Sequence, residues 1–227
     1  MYLSNRDIKW AIECSHLIVD PRPEELESGY DETSIDLHLG PVSEAKIWDV
    51  SRFAQDAAIS GGKGPELSIG SFKYENFSGK YLVDPPKESS DSDLRKSQLV
   101  CLRGSQVIVK PGGFVLWMTR EVIGTPVKNP SLICFVNAKS TKARTGIIVH
   151  FTAPTIHAGW SGSIALEIAN HGPFHLVLEE GNAIAQLTVA QITTSPDLAL
   201  KKKSSQTAFQ AHASGARADN SDSKSNR

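Results

Sequence analysis

The sequence predicts a mainly β fold preceded by one short helix. Three observations carry that expectation: a capped amphipathic segment at the N-terminus, strict alternation from residue 34, and closely spaced apolar runs after Leu99 divided by Gly- and Pro-containing turns. The 227 residues suffice for one large β domain or two small ones, and 40% hydrophobic against 22% charged residues suits a chain that buries a core.

Each element follows from its residues. In "LSNRDIKWAIECSHL", Ser4 can cap a helix, Asp7 three residues on completes a capping box, and Ile8, Ala11 and Ile12 fall on one face. "VDPRPEE" ends that helix. "TSIDLHLG" then sets Ile35, Leu37 and Leu39 against Ser34, Asp36 and His38, which is strand periodicity. Residues 54–99 contain "SGGKGPE" and "PPKESSDSDLRKS" and read as loops and short strands, with 85–97 exposed. Strands are expected in "QVIVKPGGFVLWMTREVI", "SLICFVN", "GIIVHFTA", "SGSIALEIAN" and "FHLVLEEGNAIAQLTVAQI". From Lys201 to Arg227 the only aromatic is Phe209 and no aliphatic exceeds alanine, so 201–227 reads as a flexible tail, or an arm that orders on a ligand, behind a domain spanning 1–200.

Bulk properties narrow the function. A formal net charge of −1 supplies no global field toward nucleic acid or membrane, so neither is expected as a partner. "FVLWM" at 114–118 is too short to span a bilayer, and "MYLSNRDIKW" has no signal-peptide core. Cys14, Cys101 and Cys134 are scattered without CxxC or metal-ligand spacing. A reduced, cytoplasmic protein is the expectation.

Two clusters bear chemistry. In "SGSIALEIAN", Ile164, Leu166 and Ile168 point to the core and Ala165, Glu167 and Ala169 to the other face. A single glutamate on a sheet face is common, but here methyl groups alone flank it, leaving room around the carboxylate. Lining a pocket, such a group is suited to work as a general base. Upstream, "NAKSTKARTGI" packs Lys139, Lys142 and Arg144 with Ser140 and Thr141 into a polar break between apolar strands. That is either a solvated basic loop or a cradle for phosphate oxygens.

"NAKSTKARTGI", "FTAPTIHAGWSGSIALEIAN" and "GNAIAQLTV" resemble, in order and spacing, the central motifs of the dCTP deaminase and trimeric dUTPase superfamily. "YLSNRDIKWAI" followed by "SIDLHLG" resembles the start of dCTP deaminases in particular. The resemblance spans residues 2 to about 192 with an apparent insertion loop at 76–97. It implies a distorted jelly-roll-type β-barrel of the dUTPase kind, assembled as a homotrimer with active sites between subunits. It also implies hydrolytic deamination of a deoxycytidine nucleotide, dCTP to dUTP and ammonia, without zinc; the H-x-E…P-C-x-x-C pattern of zinc deaminases is missing. Glu167 matches the general acid/base. Ser140 and the backbone of Ala153 match positions that hold the water, and Arg144 one that supports developing charge. Lys139, Ser140 and Thr141 fall in the phosphate-binding motif, and Gln186 matches a glutamine that approaches the phosphates. Mg²⁺ is implied on the triphosphate.

There are departures from the family pattern. Lys139-Ser140-Thr141 stands for the usual arginine-serine-serine, and lysine lacks the bidentate fork of arginine. Thr155 stands where deaminases commonly carry arginine. His157 replaces an aspartate that activates water in dUTPases and helps recognise the deoxyribose. The alternatives are therefore a non-catalytic nucleotide- or protein-binding relative on the same barrel and, less in keeping with His157, a dUTPase. Phe209 is a candidate to stack on a bound base.

Overall fold

The computed structural model describes residues 1–25, 29–62, 65–70, 73–197, 209–210 and 217–218. Helix α1 (Asn5–Glu13) starts as its sequence requires. The Ser4 hydroxyl accepts from the Asp7 amide, and the Asp7 carboxylate accepts from the Ser4 amide, both at 3.4 Å. The pair satisfies two amides that a helix start leaves without intrahelical partners. Ile8, Ala11 and Ile12 are buried against the sheets.

The first strands are β1 (Ile18–Asp20), β2 (Ser34–His38), β3 (Ile47–Trp48) and β4 (Leu82–Val83). After residue 99 come β5 (Val100–Arg103), β6 (Gln106–Val109), β7 (Phe114–Gly124) and β8 (Leu132–Ala138). They are followed by β9 (Ile147–Ile148), β10 (Thr155–Ile156), β11 (Ser161–Asn170), β12 (Leu176–Glu179) and β13 (Ala183–Gln191). Two four-stranded antiparallel sheets, in the orders β1-β7-β11-β9 and β10-β8-β13-β2, enclose one core. Trp117, Leu166 and Ile168 enter it from the first sheet, and Leu37, Cys134, Ala185 and Leu187 from the second. Strands β12, β6 and β5 form a smaller sheet whose Val107, Val109 and Leu178 join the same core. The mainly β expectation holds, helix included.

Alternation in β2 is real, yet its "polar" side is not solvated. His38 is buried, and its Nδ1 lies 2.6 Å from Glu121 Oε1 while its amide donates to Glu121 Oε2 at 2.9 Å. Glu121 is 1% exposed. Two hydrogen bonds offset the cost of burying a carboxylate.

The 54–99 stretch departs from the reading as loops and short strands. It holds the latter part of α2 (Val50–Ile59), α3 (Tyr74–Tyr81) and α4 (Ser92–Ser97), and among its described residues only two-residue β4 is strand. Asp49 caps α2 through the Arg52 amide at 2.9 Å, and Asp91 caps α4 through the Asp93 and Leu94 amides, both at 2.9 Å. Turn-forming residues around these helices mask a periodic set of rings. Tyr74, Phe77 and Tyr81 recur at i, i+3 and i+7 and pack with Phe53 and Trp48. The 76–97 insertion thus contains most of α3, all of β4 and α4.

Of the tail, Phe209–Gln210 (β14) pairs antiparallel with Arg217–Ala218 (β15). The rest of 201–227, and the expected stacking role of the Phe209 side chain, lie outside the described residues. Among the described residues no helix is long and apolar enough to cross a membrane.

Cys14 is exposed, whereas Cys101 and Cys134 are buried, and burial pushes the Cys134 thiol up to about 12. Thiolates are the reactive form. A chromogenic disulfide reagent should therefore titrate no more than one thiol in the folded protein and all three after denaturation. A second fast thiol before denaturation would contradict this packing.

Candidate active site

Glu167 lies mid-way along β11, between Leu166 and Ile168, both fully buried. Their burial turns Glu167 to the outer face of its sheet. That face is apolar: Leu116 and Met118 on β7 are buried there, and Phe114, Ala165, Trp48 and Leu82 pack against them. Glu167 is paired with Leu116. The amide of Phe151 donates to Glu167 Oε2 at 3.3 Å, so the exposed bend that carries Thr152 and Ala153 passes beside the carboxylate. One residue earlier, His150 buries its Nδ1 with no hydrogen-bond partner among the described residues.

The orientation of Glu167 depends on how β11 and β7 are registered. Between the pairs Ser163–Val122 and Ala165–Met118, β11 advances two residues while β7 advances four. The surplus on β7 is a bulge at Thr119–Glu121. Thr119 Oγ1 donates to the Glu121 carbonyl at 2.9 Å and accepts from the Ile164 amide at 2.8 Å, fastening the two strands across the irregularity. At its other end β11 is closed by Asn170, whose side chain donates to the carbonyls of Val109 and Phe174 at 2.8 and 2.7 Å. A Cβ on Gly172 would collide with the Thr145 carbonyl oxygen, so this approach to the 139–146 segment requires glycine.

The second group of residues sits elsewhere. Gln186 lies between Ala185 and Leu187, both fully buried, and so faces outward from the other sheet. Its Nε2 donates to Asp31 Oδ2 at 2.8 Å. Lys139 forms an ion pair with Asp36 of β2, the residue opposite Gln186 in the ladder. The expected phosphate-binding side chains therefore meet carboxylates of their own chain. Ser140, Thr141 and Arg144 are exposed on and just after the one-turn helix α5 (Ser140–Ala143). Thr155 is half-buried in β10, and His157 is exposed in the turn before β11. Among the described residues no hydrogen bond joins Glu167 to Ser140 or Arg144, and no group of three or more His, Cys, Asp or Glu could hold a metal ion.

The structure thus sets Glu167 beside the bend that leads to Ala153, and sets Lys139 on Asp36, the ladder neighbour of Gln186. Sequence reasoning missed Asp31, Glu121, the Phe151 amide and the rings of the insertion. Only the rings carried a signal, their helical spacing.

Fold and site define a two-sheet antiparallel β protein with an acid presented from a central strand and polar anion-binding candidates on the opposite sheet. Residues 64–192 match the dCTP deaminase-like family, and the chain belongs to it. The chain is 29% identical over 194 residues to a dCTP deaminase of Thermomicrobium roseum, covering 86% of this chain and 81% of that one. It is 27% identical over 196 residues to a dUMP-forming dCTP deaminase of Methanobrevibacter smithii, covering 86% and 83%. Among solved structures, the 2′-deoxycytidine 5′-triphosphate deaminase of Agrobacterium tumefaciens aligns with a TM-score of 0.49 at 16% identity. That alignment covers 84% of this chain and 47% of the other, so this chain spans about half its length.

Proposed function

We propose that the chain hydrolytically deaminates a cytosine deoxynucleotide, dCTP to dUTP and ammonia, with Glu167 as general acid/base. The observation that carries this reading is the placement of Glu167. It is held outward among apolar neighbours and beside the backbone of the 151–153 bend. In the proposed step Glu167 takes a proton from water as its oxygen adds to C4 of cytosine, and N3 of the ring receives that proton as the C4–N3 double bond opens. The carboxylate then takes the proton of the new C4 hydroxyl and passes it to the exocyclic amine, whose bond to C4 breaks to release ammonia as the C4 carbonyl forms. Ser140 and the Ala153 backbone hold the water, and Arg144 supports charge developing on the ring. Mg²⁺ enters with the substrate, on the triphosphate oxygens.

Glu167 and Gln186 point away from each other on sheets that share one core. One nucleotide cannot reach both within a chain. This favours a site completed by a second copy. A homotrimer is the expected assembly, to be read by sedimentation; an active monomer would rule it out. Thr141, Lys139 and Gln186 would then receive the phosphates after exchanging Asp36 and Asp31 for them, and Thr155 and His157 would border the sugar.

A second reading, a non-catalytic nucleotide- or protein-binding relative, is favoured by Thr155, His157 and those self-satisfied cations and amides. Incubation with dCTP and Mg²⁺, with dUTP in parallel, separates the readings by product. Conversion of dCTP to dUTP supports the deaminase. Release of pyrophosphate would point to dUMP formation, and an unchanged nucleotide that still binds would support the second reading.

A further inference from the structure

Five rings gather where β3 meets helices α2 and α3. The β3–β4 ladder pairs Trp48 with Leu82, and the Asp49 amide donates to the Tyr81 carbonyl at 2.8 Å, which fixes the end of α3 beside the start of α2. Asp56 joins the two helices, meeting Lys80 Nζ at 2.8 Å and the Tyr81 hydroxyl at 3.0 Å. Trp48 packs on the Leu116–Met118 cluster of the first sheet. The rings meet at steep angles. Trp48 and Tyr74 stand at 90° with centroids 6.2 Å apart, Phe53 and Phe77 at 74° and 5.3 Å, and Phe53 and Tyr81 at 79° and 5.2 Å.

These five rings, with Asp49, border a cavity of about 270 Å³, and neither Glu167 nor the 151–153 bend is among its described lining residues. Rings that served only to pack the insertion would close on one another, since protein interiors leave few voids larger than a water molecule. Trp48, Phe53, Tyr74 and Phe77 are only half-buried. Small-molecule pockets run from about 300 to 1,000 Å³, so the space suits a compact molecule and is small for a nucleotide with its phosphates.

The ring angles decide the shape of the guest. A flat heterocycle stacks between parallel faces, whereas walls near right angles surround a compact, rounded group. Charge decides its sign. Aromatic faces are the negative parts of their quadrupoles and attract cations. Among the described residues no lysine or arginine lines the cavity, and Asp49, which caps α2 through Oδ1, adds a carboxylate. Lys80 shows the same attraction from off the lining: its Nζ is 5.1 Å from the Tyr81 centroid, and Asp56 meets its charge. At the Tyr74 wall, burial and then the charges of Glu167 and Glu75 hold the phenol above its ordinary value, so the surrounding field is negative.

We propose that this aromatic box binds a small organic cation with a methylated ammonium head, of the choline type, at a site separate from Glu167. The assignment stands on the rings and Asp49 and is independent of the catalytic reading. Calorimetric titration of the full chain with choline should show binding at least about tenfold tighter than with its neutral analogue, in which carbon replaces the ammonium nitrogen. Trp48→Leu and Phe77→Leu should each weaken choline by about tenfold, while Trp48→Phe, which keeps a ring, retains most of the affinity. Asp49→Asn keeps a residue able to cap α2 and should weaken choline several-fold without changing the neutral analogue. Melting curves check that each variant is folded. The affinity for dCTP should be the same with and without saturating choline.

Equal binding of choline and its neutral analogue would overturn the proposal, leaving an apolar cavity with no preference for charge. So would the absence of choline binding at millimolar concentration, or an affinity untouched by both ring deletions and by Asp49→Asn. Mutual exclusion of choline and dCTP would overturn the separate site. A trimethyl-lysine peptide that bound ten times more tightly than choline would overturn the small-molecule assignment in favour of a protein side chain. Choline binding that depends on the rings and on Asp49, in a chain that turns over no nucleotide, keeps this site and removes only the catalytic reading.

Discussion

Replacing Glu167 by Gln is expected to lower dCTP turnover by about 10²–10⁴-fold, the range that a positioned general acid/base supplies, while nucleotide affinity stays within a few-fold. The amide keeps the size of the side chain and can still meet the Phe151 amide with its oxygen, so the local packing should persist. What it loses is the capacity to take a proton from water and return one to the departing amine. A rise in KM with kcat unchanged would mean that Glu167 binds rather than transfers protons. Unchanged kcat and KM would remove it from the mechanism altogether. The comparison is cleanest with Ser140→Ala, which should reduce kcat without deleting the proton carrier.

The physical reason for expecting so large an effect lies in the strand itself. Acids on open sheet faces are solvated and interchangeable with other polar residues. Glu167 instead sits half-buried on a face made of Leu116, Met118, Ala165 and the rings that pack on them, with no second carboxylate among those neighbours to take its place. The alternation of "SIALEIA" made the outward direction of this carboxylate legible, because Leu166 and Ile168 could only face the core. It could not reveal the roof. Trp48 and the α3 rings lie far from β11 in sequence and reach it only because Lys46 bridges to Leu116.

The same limit explains the other differences. The Ser4–Asp7 cap was readable because its partners are three residues apart, and the strands after Leu99 because period two repeats within each. The helices of 50–81 were not recognised because glycine, proline and charge dominate their flanks, although Tyr74, Phe77 and Tyr81 held the helical period. Long-range polar pairing leaves no local trace. Nothing near Gln186 indicates Asp31, and nothing near Lys139 says that Asp36 will compensate it. The alternation that set Asp36 against Ile35 and Leu37 was visible, but its place opposite Gln186 and its pairing with Lys139 were not.

Glu121→Leu is expected to be the most destabilising single change outside the apolar core, costing about 3–5 kcal/mol and lowering the melting temperature by roughly 6–20 °C. The carboxylate is 1% exposed and is the acceptor for both the His38 ring and the His38 amide, so its removal strips two buried donors at once. Adding His38→Leu should recover part of the loss, since replacing both members of a buried polar pair by apolar groups costs less than removing one. A single-variant cost below about 1 kcal/mol would show that solvent reaches the pair. The change should also reach the chemistry. Glu121 ends the β7 bulge that Thr119 fastens to Ile164, and that bulge sets the register in which β11 turns Glu167 outward. A slip of one residue would exchange the faces, sending Glu167 toward the core and Leu166 or Ile168 toward the substrate. Residual folded Glu121→Leu protein, assayed below its melting range, should therefore lose kcat beyond what its folded fraction explains. If activity simply tracks the folded fraction, the register is held by the sheet as a whole and not by the buried pair.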